Sequence, residues 1–390
     1  MISILRNFPV VLHQLFFLIA QLLILKICGI KYSGSLAYIG AVSTFLAVLI
    51  NLRWDIEILI SKSQKLHESL LDASTSIVLM ASIVILLNFI FGAPFQLHII
   101  FSALAISIHE VLVAILFVQK RILIYSLFRT IPAIALACFA LIGFGPEIIW
   151  PLSYFLSAFF LFVYFRGLFK RAFYGVTIDR IKSIKIMHKM NAVATATAFS
   201  FCSALIIIAI KFYFGDEYVG LWSNTIRIFN SLIIFLLSAS LPFALNRLSN
   251  NNLQIDKVKT FFYLWLSFLP LVALFVLLIS QYGTLIFSLF LPLSFDITNT
   301  HLNYIFLIGV AISFIGSSQG LYQAMHKSII LLAMIVTSAI IGFICIYNMD
   351  IIFTQLIVLF LFLIFTLVCM ILLHLALYLI SNNGSSNKVI

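Results

Sequence analysis

Charge is what this sequence has least of. Only 9% of its 390 residues are Asp, Glu, Lys or Arg, while 64% are hydrophobic, and no soluble domain of this size keeps so apolar a surface dispersed in water. Nor is there a polar stretch long enough to form a separate soluble domain. The apolar runs do not alternate with period two, which argues against a transmembrane barrel. The five cysteines, Cys28, Cys138, Cys202, Cys345 and Cys369, fall in or beside apolar runs with no C-x-x-C spacing, so neither disulfides nor a metal site is expected. No G-x-x-x-x-G-K-[ST] loop occurs, which argues against a P-loop ATPase, and nothing calls for a cofactor. A membrane glycosyltransferase or polymerase would present acids or arginines on a sizeable outer loop. The longest outer connection, about residues 283–301, holds only Asp296, so the chain does not read as an enzyme.

What is present is a succession of apolar segments, each long enough for a membrane helix, which takes about 20 residues to cross ~30 Å of hydrocarbon. Helices are expected at about residues 8–28, 33–54, 73–94, 97–119, 122–144, 148–165, 192–212, 218–245, 260–282, 302–324, 328–348 and 353–379. The first of these is too long for a signal peptide and has no A-x-A-type cleavage site, so it reads as a retained helix. Leu25-Lys26-Ile27-Cys28 is a poor lipoprotein site because Lys26 stands where a small apolar residue belongs.

The net charge of +11 is topogenic and not a nucleic-acid footprint. With both termini cytoplasmic, only Lys26, Lys31 and Lys211 of the 23 basic residues lie outside, and Arg129 and Arg227 fall within spans. The other 18 face the cytoplasm, as the positive-inside rule requires of a multi-pass bacterial inner-membrane protein.

Seven of the basic residues crowd into residues 166–190. That stretch separates an N-terminal six-helix lobe (1–165) from a C-terminal one (191–390). Each lobe opens alike: Lys26-x2-Gly29-x2-Tyr32-x-Gly34 joins spans one and two, and Lys211-x3-Gly215-x2-Tyr218-x-Gly220 joins spans seven and eight, offset by about 186 residues. Six is even, so the lobes enter the membrane in the same sense and form a parallel repeat. A plainer reading is that Gly and Tyr favour interfacial turns. The expected fold is an all-α integral membrane protein of about twelve helices in two pseudo-twofold six-helix bundles.

Span eight carries a polar stripe. At 100° per residue, Gly220, Ser223, Asn224, Arg227, Asn230, Ser231 and Ser238 fall on one face, opposite Leu221, Trp222, Leu232, Ile233 and Leu236. Arg227 lies near mid-depth, where a cation costs about 2.5–3.5 kcal/mol, which makes it a functional candidate; a structural Arg paired within the bundle is the alternative. Span two places Ser33, Ala37, Gly40, Thr44, Ala47, Asn51 and Asp55 near one face, either as a polar lining or as small residues for tight packing. Glu110 and Arg129 flank the turn at Gln119-Lys120 nearly symmetrically and are expected to pair. That pair is either structural or, with His109 beside it, an ion relay. Asp216-Glu217 reads as a solvated turn.

Two stretches resemble a known family. Leu52-Arg53-Trp54-Asp55-Ile56-Glu57-Ile58-Leu59-Ile60 is similar to the R-[YF]-E-x-A-I stretch ending helix two of the Wzx-type flippases in the MOP exporter superfamily. Tyr218-Val219-Gly220-Leu221-Trp222-Ser223 resembles the start of their helix eight. Asp55 stands in place of the family's Glu, so the equivalent acid is Asp55 or Glu57. The resemblance implies a flippase moving undecaprenyl-diphosphate-linked oligosaccharide, an O-antigen or similar repeat unit, from the cytoplasmic to the periplasmic leaflet by alternating access. It implies a central cavity built mainly from helices one, two, seven and eight, whose cationic residues meet the diphosphate, and partners among membrane lipids and other polysaccharide-assembly proteins. The candidate substrate-binding residues are Arg227, Asn224, Asn230, Ser223, Asn51, Asp55 and Arg53. The alternatives are a small-solute or multidrug antiporter of the same fold, and an O-antigen polymerase or glycosyltransferase.

Overall fold

The computed structural model describes residues 2–52, 54–60, 66–92, 95–166, 186–229, 254–289, 298–325, 327–347 and 353–386. Every regular element among them is a helix. A chain in lipid must satisfy its backbone N–H and C=O groups internally, and a helix does so within one segment. The elements are α1 (Ile2–Asn51), α2 (Trp54–Ile60), α3 (Leu66–Ile90), α4 (Leu97–Val118), α5 (Ile122–Leu141), α6 (Pro146–Tyr164), α7 (Ile186–Phe214), α8 (216–229), α9 (Gln254–Ser288), α10 (Asn299–Ala324), α11 (Ser328–Tyr347) and α12 (Phe353–Ser386).

α1 is two membrane passes. Its apolar part, Leu15–Asn51, is 37 residues, about 55 Å if straight and far longer than the hydrocarbon layer. Gly29 breaks it with φ 86° and ψ 170°, a backbone that only glycine adopts cheaply. Beyond that residue the chain doubles back. Phe17 packs edge-on against Trp150 with ring centroids 6.4 Å apart, and Gly40 lies against the same indole, so residues 12 before and 11 after the break meet one side chain. Among the described residues nine helices are long and apolar enough to cross a membrane, with Leu15–Asn51 counted once. With both arms of α1, α8 and the shorter apolar α11, the described helices fall at the twelve expected spans, of which residues 230–245 of span eight lie outside the described residues. The chain is a multi-pass membrane protein.

The described residues form two compact units, Met1–Asn224 and Thr225–Ile390. In the first, α4 is the central helix, packed on α1, α2, α3, α5 and α6, with most of its length buried. Serine hydroxyls stitch it to the second arm of α1: Ser43 Oγ donates to Ile99 O (3.3 Å) and Ser107 Oγ to Ala47 O (3.1 Å). Gly40 and Ala47 therefore lie in tight helix packing, the structural alternative for the small-residue stripe of span two. Asn88 closes the α3–α4 connection, its amide donating to Phe95 O (3.1 Å) and its carbonyl accepting from Phe95 N–H (2.9 Å). In the second unit α10 is central, packed on α9, α11 and α12. Trp265 of α9 donates to Ser317 Oγ (2.9 Å), and the Tyr322 hydroxyl lies 2.7 Å from His374 Nδ1 of α12.

Candidate functional site

Two polar constellations stand out in the first unit. The first begins with a missing hydrogen bond. Pro132 lies inside α5 and has no N–H to give to the carbonyl four residues back, that of Phe128. In lipid that carbonyl must find another donor, and two side chains converge on it. Ser157 Oγ of α6 donates at 3.0 Å, and His109 Nε2 of α4 lies 3.3 Å away. A carbonyl only accepts, so Nε2 carries the proton and neutral His109 presents a bare Nδ1. His109 is 2% exposed, and its Nδ1 has no hydrogen bond, standing 3.8 Å from Glu110 Oε1. The other oxygen of Glu110 accepts from Arg129 Nη2 at 2.5 Å, joining α4 to α5 as the turn symmetry predicts. The Arg129 guanidinium lies over the Tyr125 ring, 5.2 Å from its centroid. Tyr154 meets His109 edge-on at 5.5 Å and lies tilted against Trp150, ring centroids 5.7 Å apart. The sequence reading includes Glu110, Arg129 and His109 but misses Tyr125 and Tyr154. The proline four residues after Phe128 is the signal that would have found the carbonyl.

The second constellation is a helix crossing built from the two similar hairpins. Gly215, like Gly29, has positive φ, 84° against 86°, so the repeat has a backbone counterpart. Beyond these turns the second arm of α1 crosses α8 with no room for side chains. A Cβ at Gly34 would overlap the backbone carbonyl of Asp216, and one at Gly220 would overlap that of Ile30. The contact is reciprocal: positions 30 and 34 meet positions 216 and 220 at the offset of 186 that relates the two motifs, which is the contact pattern of a local twofold. Beside it, Asn224 Nδ2 donates to Ser33 Oγ (2.9 Å) and to Gly220 O (2.7 Å). Asp216 is not the free solvated acid expected of that turn. It pairs with Lys211 Nζ at 3.0 Å, and the same ammonium sits 4.0 Å from the centroid of the Tyr38 ring. A short polar hairpin conceals this from the sequence, because both partners come from across the turn or from another helix.

The candidate substrate residues are distributed as follows. Asn224 and Ser223 are buried at the crossing, with Ser223 Oγ 3.3 Å from Gly220 O, so in this conformation their polar groups are engaged within the protein. Asn51 and Asp55 are brought together at the junction of α1 and α2 by a 3.1 Å hydrogen bond from the Asn51 amide. Arg227 is half-buried in α8 and belongs to the second unit. Arg53, Asn230, Ser231 and Ser238 lie outside the described residues, as do 167–185 of the basic linker. Among the described residues no group of three or more His, Cys, Asp or Glu side chains is arranged to hold a metal ion.

No protein-family model and no curated protein matches this sequence. Solved structures do match in fold over nearly the whole chain. The MATE multidrug transporter DinF-BH in complex with R6G is 13% identical with a TM-score of 0.63, covering 95% of this chain and 93% of its own. An inward-facing multidrug resistance MATE family transporter of the MOP superfamily is 15% identical with a TM-score of 0.63, and 96% of each chain is covered. A MOP superfamily transporter from Pyrococcus furiosus, whose reverse binding-pocket polarity suggests a different function for it, is 13% identical with a TM-score of 0.59, covering 96% of this chain and 95% of its own. At such identities the likeness establishes the fold. This chain has the two-bundle fold of the MATE transporters.

Proposed function

We propose that the chain is a membrane transporter of the MOP type, exporting an amphipathic organic solute unchanged by alternating access. The observation carrying this reading is the end-to-end fold match to transporters, 95% of this chain against 93% of DinF-BH. Two cargo classes fit. Export of small organic solutes is the one the comparisons back more directly, since these neighbours include multidrug transporters, one of them with R6G bound.

The second cargo is a polyprenyl-diphosphate-linked oligosaccharide, supported by the Leu52–Ile60 and Tyr218–Ser223 stretches and by the intramembrane cation Arg227. Arg227 would attract the diphosphate, with Asn224 and Asn230 as hydrogen-bond donors and Arg53, Asp55, Asn51 and Ser223 along the route. Outward movement of anionic cargo down an inside-negative potential gains about 2.3 kcal/mol per charge per 100 mV. The Pyrococcus furiosus transporter is precedent for a changed pocket polarity within this fold. In this reading the protein sits in the bacterial inner membrane with both termini cytoplasmic and works beside polysaccharide-assembly proteins.

One experiment separates the cargoes. In cells lacking the gene, lipid-linked oligosaccharide accumulating on the cytoplasmic leaflet, restored to normal by the native chain but not by Arg227→Ala at equal protein level, supports the flippase. Unchanged glycan together with a raised cellular content of a dye such as R6G supports the small-solute exporter. If neither changes, transport of these classes is wrong.

A further inference from the structure

We propose that Lys211 is a latch on the helix crossing: its ammonium, tethered to Asp216 on its own hairpin, clasps the Tyr38 ring of α1 while the crossing is closed and releases it when the crossing opens. The inference concerns the crossing itself and is the same for either cargo.

Asp216 is where two interactions meet. It is the first residue of α8, brought there by the positive-φ turn at Gly215, and a carboxylate at that end of a helix is favoured by the helix dipole. Its backbone carbonyl is what a Cβ at Gly34 would strike, and its carboxylate holds Lys211 Nζ at 3.0 Å. Tyr38 stands one turn beyond Gly34 on the same face of α1, and its ring centroid lies 4.0 Å from that ammonium. One residue of α8 therefore touches the crossing through its backbone and aims a cation at α1 through its side chain. At the offset of 186, position 38 corresponds to position 224. The two flanks of the crossing are thus closed by equivalent positions with different chemistry, Asn224 by a 2.9 Å hydrogen bond to Ser33 Oγ and Tyr38 by the Lys211 cation.

The flanks differ in what parting them costs. Ser33 and Asn224 are buried, and separating buried polar groups exacts a desolvation penalty unless new partners replace the old. Lys211 is 36% exposed and Asp216 22%. When the Tyr38 ring withdraws, the ammonium keeps its carboxylate and an open side, so no charge is stranded. What is lost is one cation–π contact, which at a partly exposed site corresponds to about a two- to fivefold change in an equilibrium. A contact of that size biases the crossing toward closure without locking it. It also re-forms readily, because Asp216 holds the cation in place while the ring is away.

The test reads how often the crossing opens. In the full-length chain with its five natural cysteines replaced, Ser33→Cys puts a thiol at a position 0% exposed beside the crossing, and its labelling by a maleimide in detergent micelles proceeds through the open form. In that background Tyr38→Leu is expected to raise the labelling rate about two- to fivefold. Lys211→Met is expected to raise it at least as much, and Tyr38→Phe, which keeps a ring, to leave it unchanged. Tyr38→Leu combined with Lys211→Met is expected to label no faster than the faster single variant, since both remove one contact. Ser153→Cys, at an equally buried position in α6, is the control for loosening of the whole bundle and is expected to label at one rate throughout. Should Lys211→Met fail to fold, the contrast between Tyr38→Leu and Tyr38→Phe carries the test. A Tyr38→Leu rate equal to that of the background, single effects that multiply in the double variant, or equal acceleration at the Ser153 position overturns the latch.

Discussion

A methyl group at Gly34 or Gly220 is the most direct test of the helix crossing. At an ordinary interior helix position Gly→Ala raises helix stability by about 0.8–1 kcal/mol. At Gly34 the new Cβ would overlap the Asp216 carbonyl and stand 2.8 Å from the backbone nitrogen of Gly220. Neither obstacle is a side chain that can swing away, so α8 must shift bodily. Overpacking of this kind costs about 1–3 kcal/mol, and with only backbone to yield the cost belongs in the upper half of that range. The net expectation for Gly34→Ala is a loss of about 1–2 kcal/mol, with Gly34→Leu worse. Gly220→Ala is expected to match it, because its Cβ meets the Ile30 carbonyl in the reciprocal position. The double variant is expected to lose less than the two singles together, since one displacement of the helix relieves both overlaps. Gly40→Ala is the internal control: its Cβ meets the Trp150 ring edge at 2.8 Å, and a ring can tilt. Thermal unfolding in detergent micelles reads all five. If Gly34→Ala and Gly220→Ala raise the midpoint as an ordinary helix glycine would, the helices do not cross as described.

Three further outcomes are expected. Ser33→Cys with Asn224→Cys, in a chain whose five natural cysteines are replaced, should cross-link on oxidation, given 2.9 Å between the native side chains; if the crossing opens during transport, cargo movement stops and returns on reduction, and full transport by the cross-linked protein would refute that opening. Arg129→Met should destabilise by up to about 3–5 kcal/mol, moderated by the quarter to a third of each side chain that is exposed, while Arg129→Met with Glu110→Gln should recover most of the loss in unfolding measurements. Asn88→Ala removes two hydrogen bonds to the Phe95 backbone and should cost about 1–3 kcal/mol, read as a lowered unfolding midpoint with α4 otherwise intact.

The spans were legible because a membrane helix must be apolar along its whole length, a one-dimensional property. The Glu110–Arg129 pair was legible for a related reason: a two-residue turn fixes the depth of both flanking helices, so residues equidistant from Gln119-Lys120 must meet. Contacts that depend on helices distant in sequence were not legible. Ser33 and Asn224 are 191 residues apart, and only their shared helix-face polarity hinted at a meeting. Of the stripe on span eight, Asn224 meets Ser33 of another helix. Lys211 and Asp216 escaped notice because both look like ordinary interfacial residues until the turn at Gly215 folds one onto the other.

Pro132 illustrates how far a single backbone group can reach. In water its missing N–H would be a local matter, since any solvent molecule could serve the Phe128 carbonyl. In lipid the replacement donors must come from neighbouring helices, and those donors are Ser157 and His109. The hydrogen that His109 commits to that carbonyl then decides which of its nitrogens faces Glu110. Thus a proline on α5 sets which ring nitrogen of a side chain on α4 carries its hydrogen, through a carbonyl that neither residue owns. The same economy explains the two hairpin glycines. Positive φ at Gly29 and Gly215 turns each helix back on itself, and the reversal brings Gly34 and Gly220 to one crossing, where the absence of side chains lets two backbones touch. Polar and small residues in this membrane protein are therefore best read by asking which backbone group each one serves before asking which ligand it binds.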